Sequence, residues 1–276
     1  MRIFHLLLCL AIILPVLASR AESSGPADGE ERLRGQGGRC EELVYSANPS
    51  YPPYHWVGAD GSLEGASIDL LKMVAPQGLV LKPVVLPWKR ALALAEQGEV
   101  DLLLSLRNTP ERAKFLSFTS ARAFPNPIVV FVREDRAFPF AAWADLQGRR
   151  GGISLGDTFG NGFDEYWRAE LSIEEAKTME ANFEKLVAGR IEYFVTSKFV
   201  GEAYSSSRPL KHGIVQLGKP VSSQDIHFGF SKRSPCADLS EQMDRKLREL
   251  DKKGVPEQLL RVHLRRLKDG APPSTR

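Results

Sequence analysis

One stretch decides the fold of this chain: Gly98–Arg112, with the sequence GEVDLLLSLRNTPER. Its short apolar run, Val100–Leu104, predicts a strand that is covered on both faces. Thr109 and Pro110 then predict a helix N-terminus, with a capping hydroxyl followed by a proline at the first helical position. The positive charge of Arg112 in that first turn opposes the helix dipole, so we expect its guanidinium to act elsewhere. An arginine beside free N–H groups at the carboxyl end of a strand suits a carboxylate ligand, whereas the alternative is a surface arginine paired with an acid.

This stretch and its continuation resemble a known family. A Gly-x-Val-Asp segment with three apolar residues after it begins at Gly98, Thr-Pro-Glu-Arg-Ala-Lys follows at 109–114, and Phe-Leu-Ser-Phe-Thr occupies 115–119. The series is similar to the signature of the bacterial extracellular solute-binding proteins of the polar amino acid type, solute-binding family 3. The resemblance implies an α/β, two-lobe periplasmic binding protein of type II, a Venus flytrap with two crossover strands. We expect these crossover strands near 128–134 and 223–231. It also implies that Arg112 binds the α-carboxylate of the ligand.

The first 21 residues are typical of a signal peptide. Arg2 supplies a positive start, and Leu6–Leu17 is an apolar run too short to span a bilayer comfortably. Small residues allow cleavage after Ala18 or after Ala21. We therefore expect a periplasmic, secreted protein. Residues 22–39, rich in Gly, Glu, Arg and Ser, predict a flexible tether.

The charge balance of the chain indicates no polyanionic partner. Residues 1–21 contain two arginines and no acids, so their removal lowers the formal net charge from +3 to +1. A nearly neutral chain of about 255 residues gives no reason to expect nucleic acid or an anionic membrane as partner. That length suffices for one large domain or two lobes. We expect a monomer.

Two cysteines, Cys40 and Cys236, remain after export. An even number of cysteines in an oxidising compartment predicts a disulfide, and the alternative is a pair of buried free thiols. Two cysteines this far apart do not resemble a metal site. The sequence predicts neither a metal nor a cofactor.

A proline-rich loop crowded with aromatic residues follows the first predicted strand, at 48–56. Its prolines fix an extended chain that cannot pair as a central strand. The resemblance implies that Tyr54 stacks on the ligand, with Tyr51 and Trp56 as neighbours. Alternatively, these aromatics only close the edge of the core.

The loop at 105–112 also follows a strand, and ligands of parallel sheets bind beyond the carboxyl ends of the strands. Ser105, Arg107 and Thr109 therefore join Arg112 as candidate ligand-binding residues. Where Arg107 stands, the family usually has a small hydroxyl residue. A second arginine suggests an additional negative group on the ligand, unless it points to solvent.

Two helix starts in the first lobe bear on the site. Ser67 is expected to cap the helix 68–75, at a position where the family usually has an aspartate. Trp88 opens a helix that ends at Gln97-Gly98. Trp88 is a weak candidate for the cleft, since a tryptophan at a helix start is more often packing.

In the second lobe, a glycine-rich loop at 156–162 lies between a strand and an amphipathic helix. Such a loop exposes N–H groups to an anion. The resemblance implies that Thr158 contacts the ligand carboxylate. Asp157 stands where the family usually has a small residue. When ionised it would repel an acidic ligand or meet an ammonium; alternatively, it only caps the helix. The spacing of a nucleotide-binding loop is absent.

The departure with the largest consequence is Ser197. The resemblance places there an aspartate that holds the ligand's α-ammonium, and a serine supplies no charge to a buried ammonium. Binding of an α-amino acid is therefore in doubt.

The resemblance implies a carrier that presents a small carboxylate-bearing solute, an amino acid or a related organic acid, to an ABC permease. An enzyme on the same fold, similar to cyclohexadienyl dehydratase, and a ligand-sensing or interaction module are the alternatives. For catalysis only Asp157 and His227 are candidates, so we expect no enzyme. The expected boundaries are lobe 1 at 40–133 and 224–268, lobe 2 at 134–223, and a disordered tail at 269–276.

Overall fold

The structure, a computed structural model, describes residues 40–207 and 212–270 of the 276-residue chain. The expected signal peptide, the tether, and residues 271–276 of the expected tail lie outside the described residues. Within the described ranges, none of the helices combines the length and apolar character that a membrane span requires.

The strands are β1 (Glu42–Ser46), β2 (Ser50–Tyr51), β3 (His55–Val57), β4 (Leu63–Glu64), β5 (Val80–Pro83), β6 (Leu102–Leu106), β7 (Leu116–Phe118), β8 (Pro127–Arg133), β9 (Arg150–Ser154), β10 (Ser172–Ala176), β11 (Tyr193–Ser197), β12 (Ile214–Ser223) and β13 (His227–Ser231). The α-helices are α1 (Ala66–Val74), α2 (Trp88–Gln97), α3 (Pro110–Ala113), α4 (Phe163–Glu170), α5 (Met179–Val187), α6 (Lys198–Ser206), α7 (Leu239–Lys252) and α8 (Val255–Lys268). Two short 3₁₀ helices, Glu134–Arg136 and Trp143–Leu146, connect β8 to β9.

Each lobe contains a five-stranded mixed sheet. In the first lobe the strand order is β5-β1-β6-β13-β7. There β1 runs parallel to β5 and β6, whereas β13 is antiparallel to β6 and β7. In the second lobe the order is β10-β9-β11-β8-β12, with β9 parallel to β10 and β11 and with β8 antiparallel to β11 and β12. The two-lobe α/β fold expected from the sequence is confirmed.

The crossovers differ from the expected ones. The expected crossover strands near 128–134 and 223–231 largely coincide with β8 and β13, which lie inside the two sheets. The chain instead passes between the lobes just before each strand, at 119–126 and 224–226. These two segments lie side by side: Phe124 and Ile226 form an antiparallel bridge, and the Gln224 N–H donates to the Asn126 carbonyl over 3.3 Å. Because β8 pairs with β11 and β12, it belongs to the second lobe, and the expected boundary at residue 133 is wrong.

The local signals of the opening stretch act as predicted. Gly98 ends α2 in the left-handed region, at φ 90°, and a Cβ added there would lie 2.8 Å from the Cβ of Arg233. Thr109 caps α3, its hydroxyl accepting the Arg112 N–H at 3.4 Å, and Pro110 is the first helical residue. However, α3 has only four residues, so its dipole contributes little. The arginine side chains must supply most of any attraction for an anion.

The buried Asp101 ties the start of β6 to the rest of the first lobe. Its carboxylate accepts the Val44 N–H at 2.8 Å and the Ser234 hydroxyl. The predicted disulfide between Cys40 and Cys236 is confirmed, with Cα atoms 5.0 Å apart. Together these contacts hold β1, β6 and the segment before α7 in one unit, beneath the loops that form the site.

Candidate functional site

A cavity of about 130 Å³ lies at the carboxyl end of β6. Its polar lining consists of Asn48, His55, Ser105, Arg107 and Arg112. Tyr51 and Trp88 are the aromatic walls, and Leu104, Leu106 and Ile226 are apolar. The two loops expected to converge, 48–56 and 105–112, both contribute to this lining. Trp88, the weak candidate, faces the cavity as well.

Arg112 extends from the one-turn helix α3 into this cavity. Its Nη1 donates to the carbonyl oxygen of Arg107 over 3.0 Å, and its guanidinium carbon lies 5.8 Å from the centre of the Trp88 ring. Burial and the neighbouring positive charge of Arg107 lower the pKa of Arg112 from its usual value. The side chain is therefore anchored at one nitrogen, and its other N–H donors remain for a ligand.

Arg107 also lines the cavity and is partly buried. Among the described residues, no carboxylate oxygen lies within 4.0 Å of a side-chain nitrogen of Arg107 or Arg112. The alternative of a surface arginine in an ion pair therefore does not describe Arg112. Two arginines that have no carboxylate in ion-pair contact within the described part of the chain make this end of the cavity attractive to negative charge.

A chain of three buried polar side chains forms the floor beside Ser105. The Oγ atoms of Ser105 and Ser67 are 2.6 Å apart, and Ser67 Oγ is 3.2 Å from Nδ1 of His55. The sequence suggested that Ser67 caps α1, but the N-cap residue of this helix is Gly65. Burial lowers the pKa of His55 to about 3, so the imidazole is neutral at pH 7.

The backbone of Ser105 is itself unusual. With φ 49° this residue lies in the left-handed region, which costs a non-glycine residue about 1–3 kcal/mol. The conformation directs the chain from β6 into the 105–112 loop and places the hydroxyl against Ser67. The sequence showed no sign of this backbone strain. It also did not indicate the contacts that join His55, Ser67 and Ser105, because these residues belong to three separate elements.

The aromatic residues of the 48–56 loop are arranged differently from the expectation. Tyr54 is fully buried and its hydroxyl donates to the Pro125 carbonyl over 2.8 Å. It stacks on Tyr51, with ring centres 5.1 Å apart, and Tyr51 is the residue that faces the cavity. Tyr54 thus supports Tyr51 from behind, and the stacking role that the resemblance gives to Tyr54 would fall to Tyr51 in this geometry.

Trp56 does not line the cavity either. It is 3% exposed and packs with Ala203 of α6 and Leu267 of α8, and its ring lies 5.6 Å from that of His263. Here a helix that follows the second sheet packs against the last helix of the first lobe. The alternative of core packing is therefore correct for Trp56.

In the second lobe the glycine-rich loop is occupied by its own chain. The N–H groups of Phe159 and Gly160 donate to the carboxylate of Asp164 over 2.6–3.0 Å. These N–H groups are consequently not free for a ligand. Thr158 is exposed and does not line the cavity. For this loop to hold the ligand carboxylate, N–H groups other than those of Phe159 and Gly160 would have to donate.

Asp157 and Ser197 lie near the same cleft from the second lobe. Burial raises the pKa of Asp157 to about 6, against the opposing effect of Arg107. Ser197 is buried and donates its hydroxyl to Oδ1 of Asn126 over 2.6 Å; the Tyr54 hydroxyl is 3.3 Å from the same oxygen. Asn126, at the crossover, links both lobes. Sequence reasoning missed it, because nothing in its neighbourhood distinguishes it from an ordinary turn asparagine.

His227, one of the two expected catalytic candidates, lies away from the cavity lining. Its Nδ1 is 2.9 Å from the Thr119 carbonyl and 3.2 Å from that of Ala121, so this nitrogen carries the proton. The ring ties β13 to the first crossover. Within the described ranges, no group of His, Cys, Asp and Glu side chains has the arrangement of a metal site.

Comparison with known proteins agrees with this architecture. The ABC transporter arginine-binding protein 1 of Escherichia coli (strain K12) is 28% identical over 121 residues, 43% of this chain and 48% of that protein. The histidine-binding periplasmic protein of Salmonella typhimurium is 24% identical over 81% of this chain and 87% of that protein. Among solved structures, the ancestral amino acid-binding protein AncCDT-1, described as a precursor of cyclohexadienyl dehydratase, is 21% identical. It aligns with a TM-score of 0.62 over 81% of this chain and 95% of that one.

The sequence profile of one family matches residues 43–265, which include both sheets and every residue of the cavity lining. The chain belongs to the bacterial extracellular solute-binding proteins, family 3.

Proposed function

We propose that this chain is a periplasmic binding protein that captures a small carboxylate-bearing solute between its lobes and delivers it to an ABC importer. The observation that carries the proposal is the pair Arg107 and Arg112, which line one cavity and have no carboxylate within 4.0 Å among the residues that the structure describes. Arg112 binds the ligand carboxylate through the N–H donors left free by its bond to the Arg107 carbonyl. Tyr51 and Trp88 enclose the apolar part of the solute.

Two adjacent crossovers make closure of the lobes the natural response to the ligand. The ligand first meets the arginines of the first lobe, and closure adds contacts from the second lobe, for which Ser197 is the candidate. Only such differential contacts shift the population toward the closed form. The hydrogen bonds of Ser197 and Tyr54 to Asn126 lie at the crossover, where they respond to that motion.

An enzyme similar to cyclohexadienyl dehydratase is the second candidate function, since a solved structure of similar fold is described as a precursor of that enzyme. The cavity lining argues against it. Among the described lining residues there is no carboxylic acid, and the neutral His55, with its pKa lowered to about 3, is a weak base. Binding without turnover fits this set of residues better.

Thermal denaturation and isothermal titration calorimetry test the proposal. The protein is titrated with small carboxylates, among them amino acids, hydroxy acids and dicarboxylates, and with the carboxamide of each compound. We expect a carboxylate, but not its carboxamide, to bind; at one hundred times Kd it should stabilise the fold by about 2.7 kcal/mol. Small-angle scattering should show a smaller radius of gyration with ligand. If no carboxylate binds, or each carboxamide binds equally well, the proposal is wrong.

A further inference from the structure

The charged side chains that line the cavity are two arginines, and no carboxylate is among the described lining residues. Nη1 of Arg112 donates to the main-chain carbonyl of Arg107 over 3.0 Å, and both arginine side chains line the same cavity. Both side chains are partly buried, and burial together with the positive charge of Arg107 lowers the pKa of Arg112. A ligand with one negative charge offsets one of these cations and leaves the other.

The rest of the polar lining is neutral and hydrogen-bonding. His55 has its pKa lowered to about 3 and is uncharged at pH 7. The Ser67 hydroxyl lies between His55 and Ser105 and is within hydrogen-bond distance of both. Ser105 is two residues before Arg107 in the sequence, and both line the cavity, so the Ser105 hydroxyl adds a polar group to the lining. Nothing in this chain of side chains supplies a negative charge for an ammonium group.

The second lobe supplies no strong ammonium site either. The Ser197 hydroxyl is already donated to Asn126. Asp157 is outside the cavity lining, and the positive charge of Arg107 acts to lower its pKa against the effect of burial. An ammonium placed near Asp157 would therefore compete with a fixed guanidinium for one carboxylate and would meet the repulsion of that guanidinium.

We propose that the ligand is a small dianion without an α-ammonium, whose carboxylate binds Arg112 and whose second acidic group binds Arg107 and Ser105. This inference rests on the proposed function, because it names the solute class of the same cavity. The second acidic group is a carboxylate or a phosphoryl group, since a planar guanidinium binds either through two N–H donors.

Calorimetry with matched probes tests the inference. The probes are succinate, glutarate and adipate; the monoamide of each; 4-phosphonobutyrate; and L-glutamate, L-glutamine and L-arginine. We expect at least one dianion to bind ten times or more tightly than its monoamide, and its affinity to fall more steeply with added NaCl. Comparing the affinity of the best dicarboxylate with that of 4-phosphonobutyrate shows whether the second acidic group is a carboxylate or a phosphoryl group.

The variant Arg107→Gln removes the second cation and keeps a side chain of similar length. It should abolish the difference between dianion and monoamide while the monoamide still binds. Arg168→Gln is the matched control, because Arg168 is outside the cavity, and it should leave all affinities unchanged.

Three results would overturn the inference. If the monoamide binds as tightly as the dianion, or if Arg107→Gln weakens both equally, Arg107 has no separate acidic partner. If L-glutamine or L-arginine binds and no dianion does, the inference fails while the proposed function stands. If no carboxylate of the panel binds, both fail together.

Discussion

Replacing Arg112 with alanine is the most direct test of the site. The side chain is partly buried, stands over the Trp88 ring, and has one nitrogen bonded to the Arg107 carbonyl. Its loss would leave a ligand carboxylate desolvated and without its charged partner. Truncating one side of such a pair costs about 2–5 kcal/mol, a factor of roughly 30 to several thousand in Kd. Arg112→Lys should not restore affinity, because an ammonium lacks the planar fork.

The assay is calorimetry with the tightest carboxylate found, on the wild type and both Arg112 variants. The chain provides a matched control in Arg168, which also donates Nη1 to a main-chain carbonyl, that of Asp164, over 2.9 Å. Arg168 also stands over a tryptophan ring, 4.8 Å from the centre of Trp167. Arg168→Ala therefore loses similar structural contacts and should bind normally. If Arg112→Ala binds within about twofold of wild type, about 0.4 kcal/mol, Arg112 is not the carboxylate anchor.

Three further expectations concern pH, the disulfide and chemistry. Burial raises the pKa of Asp157 from 3.8 to about 6, so between these pH values the folded state binds more protons than the unfolded state. The free energy of unfolding should therefore fall as pH rises from about 4 to 6. Asp157→Asn should remove this contribution in urea unfolding, and an unchanged pH profile of stability in the variant would contradict the expectation. Thiol titration under denaturing conditions should find no free thiol at Cys40 or Cys236, and two reactive thiols would refute the disulfide. Replacing both cysteines by serine should lower the free energy of unfolding by about 2–5 kcal/mol. Prephenate and arogenate should remain unchanged by chromatography after incubation, since no acid lines the cavity among the described residues, and detectable product would favour the enzyme instead.

Local signals in the sequence were sufficient where one residue type satisfies one backbone requirement. Gly98 ends a helix because its left-handed φ suits glycine, and Thr109 with Pro110 begins one because each satisfies a known need of the first turn. The disulfide follows from an even count of cysteines after the expected signal peptide, together with the expected oxidising compartment. Such features depend on neighbours in sequence or on simple pairing, so they were predictable.

The cavity itself depends on contacts that join distant elements, and there the sequence was a weaker guide. Aromatic residues that follow one another in a proline-rich loop do not reveal which of them faces the cavity, and here Tyr51 lines it while Tyr54 stacks behind Tyr51. The N–H groups of the glycine-rich loop were expected to be free, but Asp164 lies close enough in the first turn of α4 to accept two of them. The contact of His55 with Ser67 and Ser105 has no local signature at all.

Three departures from the family pattern change the charge of the site in one direction, and a fourth opposes them. Ser67 and Ser197 are neutral where the resemblance expects aspartates, and Arg107 is positive where it expects a small hydroxyl residue. Arg107 lines the cavity, Ser67 contacts the lining residue Ser105, and Ser197 is bonded to the crossover residue Asn126. Asp157 adds a carboxylate where the resemblance expects a small residue, and the positive charge of Arg107 acts against the burial that raises the pKa of this carboxyl. Of the two missing aspartates, the resemblance gives a ligand group, the α-ammonium, only to the one expected at Ser197. The loss of that counter-charge and the gain of Arg107 both disfavour a cation of the ligand and favour an anion, and they are the reason to test dianions before amino acids.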